Sequence, residues 1–471
     1  MLFKRQIRHI LFAVLAGLAL VGLSAAYWAI AGRDNLLLRE DNPRRIEALA
    51  RIQRGGIFDR NSQVLVETVA SDSGLARRYL ESSTYSLTGY YSLRYGVGGA
   101  EAAYDDILAG ARRLETLADY FNNYILRLPQ IGADIMLTVD AEIHKALVDA
   151  MTGTSGAAIV MDAESGELLA LLSLPSFDPN RLDADWGILV ETEGNPFFNR
   201  ALQGNYQLGG NIYALWLAQA VDAAFELSLR FTGGTEPITL DDGTAIHCVI
   251  QPAPADLTLT EAFGFGCPAP FKSYQQMQSA ADTDDLISSY HFSDPVVLPG
   301  FPQPEPLPEP ATTSELEPEA LALRNALGQG NQTTTPLHLV TIIAAFANDG
   351  VAIAPWLYAA QRQPGTDEWI RQPPNSESLP MLNAATARKM RTLLRDAWGI
   401  LYGEPPHPHI EVGTYLAMSR SGDETQLWLN GFVAPENGSP AAFVILLEDS
   451  ADVAHLLRIG RALIEALSQS A

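Results

Sequence analysis

"GAAIVMDAESGELLALLSLPSFDPN", residues 156–180, holds two apolar runs separated by the polar Glu164-Ser165-Gly166. That pattern reads as a β-hairpin, two strands joined by a turn with glycine where a tight reversal needs it. Upstream, "GADIMLTVDAEIHKALVDAM" (132–151) reads as a strand followed by a helix that opens near Asp140, a side chain suited to an N-cap. Downstream, "YALWLAQAVDAA" (213–224) has helical periodicity, and "TPLHLVTIIAAFAND" (335–349) is an apolar helix stopped at Asp349-Gly350. "EVGTYLAMS" (411–419) and "TQLWLNGFVAP" (425–435) read as paired strands around "RSGDE", "AAFVILLED" (441–449) as another strand, and "AHLLRIGRALIEAL" (454–467) as a closing helix. Strands between helices, with a late hairpin, predict an α/β or α+β domain with a largely antiparallel sheet. The prolines and acids of residues 295–318 predict an exposed loop, and there is no internal repeat.

The chain has 471 residues, too many for one core, so two or more domains are expected. Its net charge of −24 repels phosphate backbones and argues against a nucleic-acid partner. The N-terminus has no charged side chain from Ile10 to Ala31. A helix of that length spans about 33 Å, enough for the hydrocarbon core of a membrane. Lys4, Arg5 and Arg8 precede it, which predicts a cytoplasmic N-terminus and extracytoplasmic domains beyond residue 32. The competing reading is a cleaved signal peptide. "LSAAYWA" (23–29) has suitable small residues, but the apolar run exceeds the usual 7–15 or so. After the anchor, residues 33–70 read as a short helix, then strands about a turn at Asp59-Arg60-Asn61-Ser62.

Several stretches, in order, resemble the class B penicillin-binding proteins, the membrane-anchored D,D-transpeptidases of cell-wall synthesis. "RGGIFDRNSQVLVET" (54–68) and "GYYSLRYGVGGAEAAYDDILAG" (89–110) look like landmarks of that family's non-catalytic pedestal. "LTVDAEIHKAL", the 156–180 hairpin and "NPFFNRALQGNYQLGG" (195–210) look like early landmarks of its transpeptidase domain, and "LGQGNQTTTPLHLVTIIAAFANDG" (327–350) and "LWLNGFVAP" (427–435) like late ones. The resemblance implies a cytoplasmic tip (1–9), a transmembrane helix (10–31), a pedestal or dimerisation-like domain (32–135) and a transpeptidase-like domain (136–471). It also implies an antiparallel sheet flanked by helices, with the active site between the sheet and a helical part.

The family's chemistry is acyl transfer through serine. In SxxK, a lysine three residues on shares a helix face with the nucleophile and takes its proton. SxN relays protons, and a KTG strand clamps the substrate backbone. Carried over residue by residue, the nucleophile position is Gly210 and the lysine position Tyr213. SxN falls on Gly266-Cys267-Pro268. KTG falls on Thr414-Tyr415-Leu416, within Gly413–Ala417. Glycine supplies no nucleophile, and a phenol with a pKa near 10 is a poor base at neutral pH. The motif scan is independent of this alignment. The four lysines, Lys4, Lys145, Lys272 and Lys389, follow Met1, Glu142, Ala269 and Thr386 by three residues, so no SxxK exists. No lysine precedes Thr-Gly or Ser-Gly, and no serine stands two residues before an asparagine.

Arg420-Ser421-Gly422 has the form of a clamp with arginine for lysine, and equally that of a hairpin turn. Cys267 could serve as a substitute nucleophile, but a reactive thiol needs a cationic setting and only Lys272 is near in sequence. Cys248 and Cys267 bracket the approach to the second motif, and a disulfide and two unpaired thiols both stand as readings. His247, His407 and His409 lack further ligands at useful spacing, so no metal site and no cofactor are expected.

The leading expectation is a catalytically inactive member of this fold. It would be a scaffold or regulator in cell-wall synthesis or cell division, with the membrane, other membrane-bound cell-wall or division proteins, and peptidoglycan fragments as partners. One alternative is a working transpeptidase with substituted catalytic groups. The other is a sensor that binds cell-wall fragments or β-lactams without covalent chemistry.

Overall fold

The structure, a computed structural model, describes residues 2–30, 49–71, 74–110, 130–294, 296–304, 317–330, 332–403, 409–421 and 424–470. The short helix expected after the anchor, most of the Pro-rich loop, His407 and Gly422 lie outside the described residues.

Helix α1 (Leu2–Ile30) contains one span, Ile7–Ala25, long and apolar enough to cross a membrane, and none of that span is buried against the protein. The next unit is built on a six-stranded sheet of β1 (Ile57–Phe58), β2 (Val64–Ser71), β3 (Gly74–Tyr79), β4 (Asp134–Leu137), and two later strands, β7 (Tyr358–Arg362) and β8 (Trp369–Arg371). Its order is β8-β7-β4-β1-β2-β3, with β1 parallel to β4 and the other pairs antiparallel. The division expected at residues 135 and 136 is therefore crossed by strands from residues 358–371. Asp134 also accepts two hydrogen bonds from the Arg362 guanidinium, at 3.0 and 2.8 Å. The two pedestal landmarks meet here: Glu101, fully buried, takes Arg54 at 2.7 Å and Arg77 at 2.6 Å on opposite oxygens. A carboxylate this deep is tolerated only because both oxygens are held by cations.

The second unit centres on a five-stranded antiparallel sheet. The 156–180 hairpin supplies β5 (Gly156–Asp162) and β6 (Leu168–Leu174). The C-terminal region supplies β9 (Ile410–Ser421), β10 (Glu424–Pro435) and β11 (Ala441–Leu447), in the order β9-β10-β11-β5-β6. Every residue of β11 and all of β5 but Asp162 are buried, so these strands read as continuous apolar runs rather than alternating ones. Both faces are covered. Helices α2 (Ala141–Ala150), with Asp140 as its N-cap, and α9 (Val453–Ser470) pack on one face. On the other lie α4 (Ile212–Asp222), α5 (Leu259–Phe265), α6 (Pro268–Gln275) and α7 (Pro336–Ala347), and α8 (Ala384–Leu401) lies along β9. The short α3 (Leu182–Leu189) follows β6. Every residue of α7 is buried, which matches its apolar run. Thr335 caps it, and Asp349 and Gly350, both at positive φ, end it.

Two imidazoles are locked in this core. His144 Nε2 accepts from the Leu171 N–H at 3.1 Å, and His338 Nε2 lies 2.8 Å from the Tyr290 carbonyl. Burial lowers both from 6.5 to about 4. The unfolded chain takes up these protons near pH 6.5 and the folded chain only near pH 4, so their stabilisation is whole above that window and lost as pH falls through it. Unfolding by denaturant should show each site costing about 2 kcal/mol between pH 7.5 and 5. Replacing either histidine with glutamine should remove its share of the slope.

Candidate functional site

The segments holding Gly210, Gly266 and Thr414 lie together about β9. After the two-residue strand Tyr206–Gln207, the chain passes through a 3-10 turn, Gly209–Asn211, into α4, so Gly210 stands at the N-terminal end of that helix. The turn presses on the middle of β9. A Cβ at Gly210 would sit 3.3 Å from Ala417 Cα, Ala417 Cβ and Met418 N. Gly209 is tighter: its φ is +51°, and a Cβ there would lie 2.3 Å from the Met418 carbonyl oxygen. Gly209→Ala should therefore lower stability by roughly 2–4 kcal/mol, combining a left-handed backbone with an overlap against main chain. A thermal melt checks this.

Tyr213 lies one turn into α4, fully inside the protein. Its ring stacks on Phe271 of α6, with centroids 4.6 Å apart and planes within 3°. Burial drives its phenol well above the usual range, so it is a still poorer base than its residue type suggests. Gly266 is the left-handed C-cap of α5, and Cys267 and Pro268 open α6. Cys248 and Cys267 are joined by a disulfide. The bridge brings Val249 and Ile250 alongside the second-motif turn: their N–H groups donate to the carbonyls of Gly266 (3.3 Å) and Phe265 (3.0 Å). A Cβ at Gly266, where φ is +65°, would meet the Val249 side chain at 2.6 Å, so a serine there would have to displace it from a left-handed backbone position.

On β9, Thr414, Tyr415 and Leu416 pair with Gly431, Asn430 and Leu429 of β10. All three are buried. Tyr415 tilts onto Phe263 at 5.0 Å, and its hydroxyl reaches Asn211 Oδ1 at 3.5 Å. Asn211 Oδ1 also accepts from Asn430 Nδ2 at 2.8 Å. Leu416 faces the opposite core, as the pleat requires of neighbouring residues. Tyr213, Phe271, Phe263 and Tyr415 thus place aromatic rings where the family's polar centre is expected. Arg420 and Ser421 are the last pairs of the β9–β10 ladder, opposite Thr425 and Glu424, beside the hairpin reversal. Gln329, with its amide oriented to satisfy both bonds, donates to the Arg420 carbonyl (3.1 Å) and accepts from its N–H (3.3 Å).

Two hydroxyls near the centre are already committed, whereas Thr414 Oγ1 on β9 is buried without a hydrogen-bond partner. Ser419 Oγ accepts from Trp428 Nε1 at 2.9 Å and is fully buried. The Tyr206 hydroxyl donates to Glu448 at 2.6 Å, and the Arg200 guanidinium holds the other oxygen of that carboxylate at 2.6 Å. Burial and the Glu448 charge both raise the Tyr206 phenol, so the nearby cation does not make it a nucleophile. His409 pairs with Glu436 at 2.8 Å on the surface, and among the described residues no cluster of His, Cys, Asp or Glu suits a metal ion. The Asn211–Asn430 pair, the Val249–Ile250 segment and the Gln329 contact escaped the sequence reading. Only the position of Asn211 beside Gly210 could have pointed to the first.

An antiparallel sheet backed by helices on both faces, with a helix N-terminus set against the edge strand, joined to a second sheet unit behind an apolar N-terminal helix, fits the penicillin-binding transpeptidase class. Residues 156–399, over half of the chain, match the penicillin binding protein transpeptidase domain, and the chain belongs to that family. Residues 54–133 match the penicillin binding protein A dimerisation domain. The chain is 27% identical to the peptidoglycan D,D-transpeptidase PbpA of Mycobacterium tuberculosis, over 98% of this chain and 99% of that one. It is 25% identical to the peptidoglycan D,D-transpeptidase MrdA of Acinetobacter baumannii, over 63% and 49%. The solved structure of M. tuberculosis penicillin-binding protein A as an imipenem acyl-enzyme complex superposes with a TM-score of 0.74 at 25% identity, covering 88% of this chain and 99% of that chain.

Proposed function

We propose that this homologue of peptidoglycan D,D-transpeptidases forms no acyl-enzyme and acts through contacts, as a scaffold or regulator of cell-wall synthesis or division. One observation carries the reading: at the nucleophile and base positions stand Gly210 and a Tyr213 ring stacked on Phe271. Acyl transfer needs an attacking atom and a group to take its proton, and these positions supply neither. The aromatic filling of the centre gives no support to a sensor that holds a ligand there. The basic residues before Ile10, in the first turns of α1, support a cytoplasmic tip over residues 1–9, a span over 10–31 and extracytoplasmic domains, and the family resemblance supports a pedestal ending near residue 135. Incubation with a fluorescent penicillin followed by denaturing electrophoresis tests the reading, and a stable label would overturn it.

A further inference from the structure

A cavity of about 600 Å³ opens between the last turns of α8 and the neighbouring ends of β9 and β10. It is lined by none of the motif positions, and its volume lies in the small-molecule range. Arg391, Arg395 and Gly399 line it at four-residue spacing, with Trp398 beside them, so one face of the helix forms a wall. Ile410 and Pro435, partners across the two strands, line the strand side. Two features of the helix wall have no account in the fold. Gly399 is helical rather than left-handed, and a Cβ built there would meet nothing within 4 Å. Glycine weakens a helix, and no close packing calls for it here; a side chain would simply extend into open space beside the cavity. Gly403 differs, since its φ of +86° lies just beyond the helix end, where glycine is favoured. Trp398 is 3% exposed, and its indole N–H has no acceptor within the protein, whereas buried donors are nearly always paired.

The charges on the walls give the chemistry of the ligand. Arg391 is committed to Glu411, with Nε and Nη2 donating to one carboxylate oxygen at 3.0 and 2.7 Å. Glu436 is paired with His409 at 2.8 Å, and both are mostly exposed, so solvent screens them. Arg395 is exposed and has no ion-pair or hydrogen-bond partner among the described residues. It is the uncompensated charge on the walls, in a chain of net charge −24. A guanidinium presents paired donors that match a carboxylate, and Trp398, Ile410, Val412 and Pro435 offer apolar surface beside it. A cation entering here would be repelled by Arg395 and would find both carboxylates already held.

We infer that this cavity binds a small molecule carrying a carboxylate on an apolar body, with the carboxylate on Arg395 and the body against Trp398, Ile410 and Pro435. The site does not depend on whether the chain forms an acyl-enzyme. The test follows N-acetyl-leucine, and its uncharged amide, on the detergent-solubilised full chain by saturation-transfer NMR. The acid should bind in about the millimolar range or tighter, and the amide roughly tenfold or more weakly. Arg395→Gln should bring the acid down to the level of the amide, and Arg395→Lys should keep part of the affinity. Gly399→Leu should abolish binding by filling the cavity. Arg395 is unpaired and Gly399 has open space, so all three variants should melt no lower than wild type. Equal binding of acid and amide would overturn the inference. So would no binding of the acid to wild type, or an affinity untouched by Arg395→Gln or by Gly399→Leu. A tripeptide ending in leucine separates two sources of the carboxylate. Tighter binding than the acid assigns the cavity to a peptide end, weaker binding to a free acid, and either supports the site. A penicillin label on a chain that still binds the acid would sink only the non-acylating reading. An unlabelled chain that ignores the acid would sink only this site.

Discussion

Full-length protein mixed with excess fluorescent penicillin and then denatured should carry no covalent label, while a catalytically intact relative in the same gel is labelled. The difference expected is all or nothing, because the missing group is the attacking atom itself. Gly210→Ser should not restore it. The new Cβ would stand 3.3 Å from Ala417 and Met418, so β9 must give by a few tenths of an ångström to accept it. Its hydroxyl, however, would have Tyr213 three residues on, buried and with its phenol raised, rather than an amine able to take the proton. An unactivated hydroxyl is a weak nucleophile near pH 7. Adding Tyr213→Lys to Gly210→Ser should yield at most a trace, since Thr414 still stands where the clamp needs a cation. A label on wild type, placed by mass spectrometry, would identify a nucleophile elsewhere. Rapid labelling of Gly210→Ser alone would reveal a base in the centre that its described partners do not show.

Tyr213→Lys by itself should be the most damaging single change at the site, at about 4 kcal/mol or more. It removes a fully buried ring from its stack on Phe271 and puts an ammonium into that apolar packing. Tyr213→Phe keeps the stack and should change stability by less than about 1 kcal/mol. Denaturant unfolding of the two variants in one detergent separates the outcomes. If the lysine variant matched wild type, the centre would be looser than the packing around Tyr213 describes, and the case for a filled site would fail. The two results bear on each other. On the proposed reading, a lysine placed at Tyr213 to supply a base would cost the packing that Tyr213 makes with Phe271.

The chain's local chemistry determined a good deal without tertiary context. Apolar runs bounded by turn residues placed β5, β6 and β9 to β11, because strands buried on both faces leave continuous hydrophobic stretches. Asp140 at the head of α2 and Asp349-Gly350 at the tail of α7 were legible because capping and left-handed turns need particular residue types. The absence of SxxK, SxN and KTG is a property of the sequence alone. Contacts between residues far apart in the chain were not legible, since each half looks ordinary in its own neighbourhood. Residues 358–371 carry no mark that they pair with Asp134–Leu137 rather than with the strands of their own domain. Two cysteines 19 residues apart permitted a bridge or free thiols, and the tertiary structure joins them where Val249 and Ile250 run against the Phe265–Gly266 turn. The sequence showed that the SxxK, SxN and KTG patterns are absent. That their place holds stacked rings, with Gly209 pressed on the β9 backbone, was decided by packing across some two hundred residues of chain.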